Sequence, residues 1–305
     1  MTIELDFIAH LRGFADDPSA RGLMDDVAVL GDLVLTHDMI VEGVHFLPGD
    51  PPADVAWKLV AVNLSDLAAK GAVPVAALAG AGLSRDVDWN DAFAAGLGFA
   101  CAQFGLALIG GDTIVMPKNA PKTLGLTAIG RSTGPIPSRS GAHSGDALYV
   151  AGTIGDAGLG LKIAMAGGGG GGPKALLDAY RRPVPLLESG RMLAPIVSAM
   201  MDVSDGLLID AARLGEASGI GLSIDLDAIP LSAAATGMAG GDRSARLRAA
   251  TSGDDYALLF TAALPLPPVP GRITRIGRAV RGAGLHIHDH SGAVPLPERL
   301  GWLHD

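Results

Sequence analysis

Cysteine is nearly absent: Cys101 is the single one in 305 residues. That excludes an intramolecular disulfide and a thiolate zinc cluster, and it fits a reducing, cytoplasmic setting. Aromatic residues are scarce, at 4% against 49% hydrophobic residues overall, so the core must be built from small aliphatic side chains. Lysine and arginine form no cluster, and the formal charge is −9, which argues against a nucleic-acid partner. The opening stretch MTIELDFIAHLRGF lacks the apolar core and small-residue cleavage site of a signal peptide; it predicts an ordinary first helix. Only one run, Ala92 to Gly111, is charge-free over a length close to a membrane span. Its glycines, Gln103 and the GGD that follows predict a buried helix running into a core strand instead.

What is present is enough chain for two domains. At 305 residues one hydrophobic core stops growing, which predicts two units of roughly 150 residues with a cleft between them. VAVLGDLVLTHDMIV carries β-branched and apolar runs broken at GD, the pattern of a hairpin. DVAWKLVAVNLSDLAAKG has apolar residues at helical spacing and stops at Gly71, and DWNDAFAAGLGFACAQFG predicts another helix. LALIGGDT reads as a strand ending in a turn and TLGLTAIGRS as a further strand. The fold class is α/β or α+β.

Near GPIPSRSGAHSGD the composition shifts to Gly, Pro and Ser, which predicts a boundary between domains 1–137 and 138–305. ALYVAGTIG then reads as a strand entering a glycine turn, with DAGLGLKIAMAG as the helix it feeds. PLLESGRMLAPIVSAMMDVSDGLLIDAARLGEASG predicts helix, turn and helix; GLSIDLDAIP predicts a strand; TSGDDYALLFTA predicts a turn entering a strand. The run Gly167 to Gly172 is a flexible surface connection by composition, and GGGPKALL lacks the Lys and Ser or Thr of a phosphate loop.

Aspartates recur beside Gly, Ser or Thr at the ends of apolar segments: Asp25 and Asp26, Asp38, Asp66, Asp112, Asp202 and Asp205. Taken singly, each reads as a helix N-cap or turn residue. Taken together they suit Mg²⁺, a hard cation that needs oxygen ligands from several segments to bridge polyphosphate oxygens. GTIGDAG, between a strand and a helix, either faces an anion with its backbone N–H groups or is a tight turn, and its spacing is not that of a dinucleotide site. Alone, His45 reads as a half-buried strand residue, Arg139 as a surface charge and Trp302 as a cap on the core.

The ordered set DDVAV, THDMIVEGVHF, VNLSDLAAKGA, LIGGDT, RSGAHSGD, GTIGDAGLG, MDVSDGL and SGDDYALLFT covers nearly the whole chain. It resembles the thiamine-monophosphate kinase family, within the superfamily of aminoimidazole ribonucleotide synthetase and selenophosphate synthetase. The resemblance implies an N-terminal α/β domain whose sheet pairs with that of a second subunit, hence a homodimer, and a C-terminal domain closing over the nucleotide. It implies several Mg²⁺ ions held by Asp26, Thr36, His37, Asp38, Asp66, Asp112, Asp202 and Asp205. Gly111, Asp112, Arg139 and Ser204 match ATP-holding positions, and His45, Asp254 and Trp302 match positions that contact thiamine monophosphate. Three positions depart from the family pattern: GLMDD stands for GIGDD, His37 for Ser or Thr, and Asp254 for the Glu of GEDYE.

The implied reaction is ATP-dependent phosphorylation of thiamine monophosphate to thiamine diphosphate. Selenophosphate synthetases carry a cysteine or selenocysteine near the N-terminus and hydrogenase-maturation relatives end in cysteine, unlike this chain. Aminoimidazole ribonucleotide synthetase lacks the combined EGVHF and SGDDY signature. A non-catalytic, metal-dependent nucleotide binder is the alternative from another class.

Overall fold

The computed structural model describes residues 3–167, 172–269 and 271–303; four of the six glycines between Gly167 and Gly172 lie outside them. Helix α1 (Ile3–Arg12) precedes a hairpin of β1 (Ala28–Leu30) and β2 (Leu33–Val41). There follow α2 (Pro52–Ala69), β3 (Val73–Leu83), α3 (Val87–Gln103), β4 (Ala107–Val115) and β5 (Thr123–Arg131). These strands form one sheet in the order β1-β2-β5-β3-β4, with β3 and β4 parallel and the other neighbours antiparallel.

The second unit begins with β6 (Ala147–Ala151), α4 (Asp156–Met165), α5 (Lys174–Arg181), α6 (Leu187–Leu193) and β7 (Ala199–Val203). It continues through α7 (Leu207–Ser218), β8 (Gly221–Asp225), α8 (Ala233–Ala239), α9 (Arg243–Ala250), β9 (Ala257–Ala262), β10 (Ile273–Val280), β11 (Leu285–Asp289) and β12 (Gly292–Val294). Its sheet runs β12-β11-β8-β10-β6-β9-β7. No helix among the described residues is long and apolar enough to cross a membrane.

The two units share α2. Proline starts this helix and Gly71, at φ 64°, follows its end. From Val55 to Ala69 every residue but Trp57 is buried, as expected of a helix with a partner on each side. Leu59, Leu64 and Leu67 join the core under the first sheet, whereas Ala68 and Ala69 pack with Tyr149, Leu258 and Phe260 of the second. Small side chains let α6 approach closely: a Cβ on Gly190 would stand 1.9 Å from the Ala68 carbonyl oxygen.

Three expectations need correction. SAMMDV does not make a turn between two helices; Ala199–Val203 is strand β7, buried throughout, because an apolar run of strand length fits a sheet buried on both faces. Ala92 to Gly111 is not a buried helix entering a core strand. Ala94, Ala95 and Phe99 of α3 are exposed, and β4 is an edge strand exposed along its whole length. Nor do the aspartates lie in turns as a set. Asp38, Asp112 and Asp202 sit on strands and Asp66 inside α2, leaving Asp26 and Asp205 in loops.

Candidate active site

Asp26, Asp66 and Asp202 each direct a carboxylate oxygen to one place, all within 4.8 Å of one another. They arrive from the loop before β1, from α2 and from β7, so both domains contribute. Hydroxyls orient two of them: Thr36 donates to Asp66 Oδ2, and Ser65 donates to Asp202 Oδ2 at 2.7 Å. Thr36 and Asp38 share the buried-facing side of β2, and the Asp38 amide donates to Asn63 Oδ1 of α2 at 3.0 Å. Arg139 closes the front, its Nε and Nη2 lying 2.6 and 2.5 Å from Asp26 Oδ1.

The electrostatics are those of a site awaiting positive charge. Burial foremost, then the neighbouring carboxylates, push the acid groups of Asp66 and Asp202 well above their ordinary range. The same causes, burial first and then Asp26 and Asp205, raise Asp38 to about 6. Lys70 and Arg139 offset the charge of Asp26, while burial and mutual repulsion still raise Asp38, Asp66 and Asp202; hard oxygen donors crowded this closely are a donor set that fits a divalent cation such as Mg²⁺.

A pH dependence follows. An aspartate whose folded value is raised stabilises the fold below its unfolded value, near 4, and loses that contribution as pH rises through the folded value. Asp38 and Asp210, both raised to about 6, therefore destabilise the metal-free protein between about pH 4 and 6. Asp25, held down to about 2 by the Lys70 ammonium against its burial, acts oppositely and costs stability only as pH falls below about 4. Thermal unfolding in EDTA is expected to show Tm falling from pH 5 to pH 7, with the Mg²⁺-induced rise in Tm growing over the same interval. A metal-free Tm that climbs over that interval would contradict the assignment.

Beside the trio the β7–α7 loop is folded around Asp210, whose Oδ2 accepts from the amides of Ser204, Asp205 and Gly206 at 3.1, 3.1 and 3.2 Å. Arg213 bridges Asp210 and Asp205. From this loop the contacts pass outward. The Ser204 carbonyl accepts from the Asp254 amide at 2.7 Å, and the Asp205 carbonyl accepts from the Trp302 amide at 2.8 Å. Asp254, at φ 62°, accepts from Lys58 Nζ at 2.8 Å and from the Tyr256 hydroxyl at 2.9 Å. Lys58 also donates to the His45 carbonyl at 2.9 Å, while His45 Nδ1 accepts from the Val41 amide at 3.0 Å. His45 and Asp254 thus share one buried ammonium, and Trp302 stands exposed at the same rim.

Two expected ligands lie apart from the trio. His37 points to the opposite face of β2 from Thr36 and Asp38, its Nδ1 2.9 Å from Thr127 Oγ1. Asp112 is on the edge strand β4, separated from β2 by β3 and β5. Gly111 at φ 151° has a structural reason to be glycine, since a Cβ would come within 1.9 Å of the Ala79 carbonyl oxygen. In the GTIGDAG turn the Gly155 amide donates to both oxygens of half-buried Asp255, at 2.9 and 2.8 Å.

Lys58, Asn63, Ser65, Lys70, Asp210 and Asp255 escaped the sequence reading. A signal existed for the lysines, since a charge inside an apolar helical run must find a partner.

Known proteins share the two-domain fold. Residues 24–132 match the AIR synthase related protein, N-terminal domain, and residues 143–262 match the AIR synthase related protein, C-terminal domain. The chain is 37% identical to the thiamine-monophosphate kinase of Caulobacter vibrioides over 99% of its own length and 90% of that protein. To the Escherichia coli K12 thiamine-monophosphate kinase it is 38% identical, over 79% of this chain and 75% of that one. A solved structure described as AaThiL complexed with AMPPCP and TMP superposes with a TM-score of 0.87 at 28% identity, covering 99% of both chains.

Proposed function

The chain belongs to the thiamine-monophosphate kinase family, and we propose that the carboxylate cleft is where it phosphorylates thiamine monophosphate to thiamine diphosphate with ATP. The observation that carries this reading is the convergence of Asp26, Asp66 and Asp202 from both domains within 4.8 Å. Around them Thr36, Asp38 and Asp205 complete the magnesium-holding set. Bound there, Mg²⁺ would offset the charge of two polyanions and of a loose transition state. Arg139, Ser204 and Gly111 belong to the ATP side, and His45, Asp254 and Trp302 to the thiamine monophosphate side. His37, whose ring faces away, has only its backbone to offer the cluster.

The protein's own task is positioning. The acceptor is a phosphate monoester, already largely dianionic at neutral pH, so no general base is needed. Asp254 sets a carboxylate opposite the cationic thiazolium, and Lys58 and Tyr256 fix its rotamer. Asp254 is one methylene shorter than the family's glutamate, and its left-handed backbone, tied to Ser204, sets where that shorter side chain starts. Replacing Lys58 with methionine is expected to raise KM for thiamine monophosphate roughly tenfold with KM for ATP unchanged, because ground-state contacts to one substrate are lost. Steady-state kinetics with each substrate varied would check it; equal shifts in both KM values would contradict it.

Two copies of the chain complete the enzyme in this reading. Strand β4 leaves one edge open and exposes Leu108, Ile109, Ile114 and Val115. At the other end of the sheet, β1 pairs only with Leu33 to Leu35, leaving Thr36 to Val41 of β2 without a ladder partner on that side among the described residues. Such edges invite pairing. Strands β2 and β4 run in the same direction, and the ladder Asp112–Gly80–Gly125–Met39 sets Asp112 one residue beyond the level of Asp38. A two-fold axis along the strands keeps that level, bringing Asp112 of one protomer to the cluster of its partner. The division at 137/138 and a cytoplasmic location, supported by the lone buried Cys101, complete the reading. Incubating the purified chain with Mg-ATP and thiamine monophosphate should yield thiamine diphosphate by mass; no product at any Mg²⁺ concentration would overturn it.

A further inference from the structure

Lys70 lies behind the carboxylates, with no exposed surface. Its ammonium has three partners: Asp25 Oδ1 at 2.6 Å, Asp26 Oδ2 at 2.6 Å and the Met200 carbonyl at 3.0 Å. The carbonyl accepts a hydrogen bond, and the two carboxylates pair with the ammonium as ions. Each contact belongs to a segment that delivers a member of the trio. Asp26 is itself one; Met200 precedes Asp202 by two residues on β7; Lys70 follows Asp66 by four at the end of α2. One side chain therefore joins the loop, the helix and the strand whose carboxylates meet within 4.8 Å.

Stability alone is a poor reason for such an arrangement, since a buried ion cluster is often no better than apolar packing of the same volume. Asp25 already has a second cation in Arg21, at 2.7 Å, and Asp26 has Arg139. Arg139, however, sits at the mouth with 23% of its side chain exposed and belongs to the ATP side. Lys70 is the cation that no incoming ligand can draw away.

We propose that Lys70 is a positioning residue for the magnesium ligands, a permanent internal cation that locks Asp26, the end of α2 and β7 into the spacing an ion requires. The proposal rests on the magnesium reading given above. It makes a prediction opposite in sign to simple charge. Deleting a positive charge next to a cation site would by itself tighten cation binding, whereas losing the lock weakens it, as loss of outer contacts to ligands does elsewhere by roughly ten- to a hundredfold.

The test uses Lys70→Met and Lys70→Gln in the full chain, with Mn²⁺ as probe and free Mn²⁺ counted by electron paramagnetic resonance without nucleotide. The expected result, in whichever variant keeps the native circular-dichroism spectrum, is Mn²⁺ binding at least tenfold weaker than in the parent. The Mg²⁺ activation midpoint should rise in step, while KM for thiamine monophosphate stays within about twofold. Equal or tighter Mn²⁺ binding would overturn the proposal, and so would failure of both variants to fold, which would assign Lys70 a purely structural role. If the parent protein binds no Mn²⁺, the magnesium reading itself fails and takes this inference with it.

Discussion

Asp66→Asn is expected to lower turnover by on the order of a thousandfold while leaving the protein folded and, in EDTA, more stable than its parent. The two effects have one origin. Asp66 is buried in α2, and burial together with the negative charges of Asp38, Asp202 and Asp26 disfavours its ionised form. Asparagine keeps an oxygen to accept the Thr36 hydroxyl but removes one of the repelling charges, which relieves the metal-free fold. For the same reason it removes a charge that a divalent ion would use, so the Tm gain on adding Mg²⁺ should shrink. Turnover at saturating Mg²⁺ and thermal unfolding with and without EDTA decide the matter together. Near-normal turnover would remove Asp66 from the metal set, and a variant less stable than its parent in EDTA would show that the carboxylate is held by contacts rather than strained by its neighbours.

The second large effect concerns mixed dimers. If each site draws Asp66 from one protomer and Asp112 from its partner, Asp66→Asn and Asp112→Asn homodimers are both nearly inactive. Co-refolding the two in equal amounts makes half the dimers mixed. In each mixed dimer one site carries both lesions and the other carries neither. Activity should return to roughly a quarter of the parent's. No return from two inactive homodimers would mean that Asp112 serves its own protomer, and the geometry within one chain then demands a second metal position across β3 and β5 from the trio; an active Asp112→Asn homodimer would remove Asp112 from the site. The experiment needs no structure of the dimer and is insensitive to modest losses of stability.

Much of the site was legible before the fold was known, for a physical reason. Cation chemistry restricts ligands to oxygens, and carboxylates flanked by small or hydroxyl residues are visible in a chain that is only 18% charged. Asp26, Asp66 and Asp202 could be named this way. The helix carrying Asp66 could be read from its apolar spacing, but the strand carrying Asp202 could not. SAMMDV contains Ser and Asp, which favour turns locally, yet burial on both sides overrode that preference and made a strand of it. The facing of His37 was lost likewise, because strand alternation puts neighbours on opposite sides, and motif proximity alone treats Thr36, His37 and Asp38 as one group. Asp210 and Asp255 were missed because the backbone amides they hold leave no mark in a sequence. The separation of Asp112 from the trio was invisible for a different reason, since strand order in a sheet is not strand order in the chain.

Helix α2 has a consequence for anyone who would divide this protein. A fragment ending near residue 137 would keep α2 but strip Tyr149, Leu258 and Phe260 from Ala68 and Ala69, and leave Lys70 without the Met200 carbonyl. A fragment beginning there would bare the other side of the same contact. Though two sheets define two domains, each packs its core against the same helix, which couples their unfolding. Unfolding of the chain should therefore be one transition, and expression of either half alone should yield aggregate.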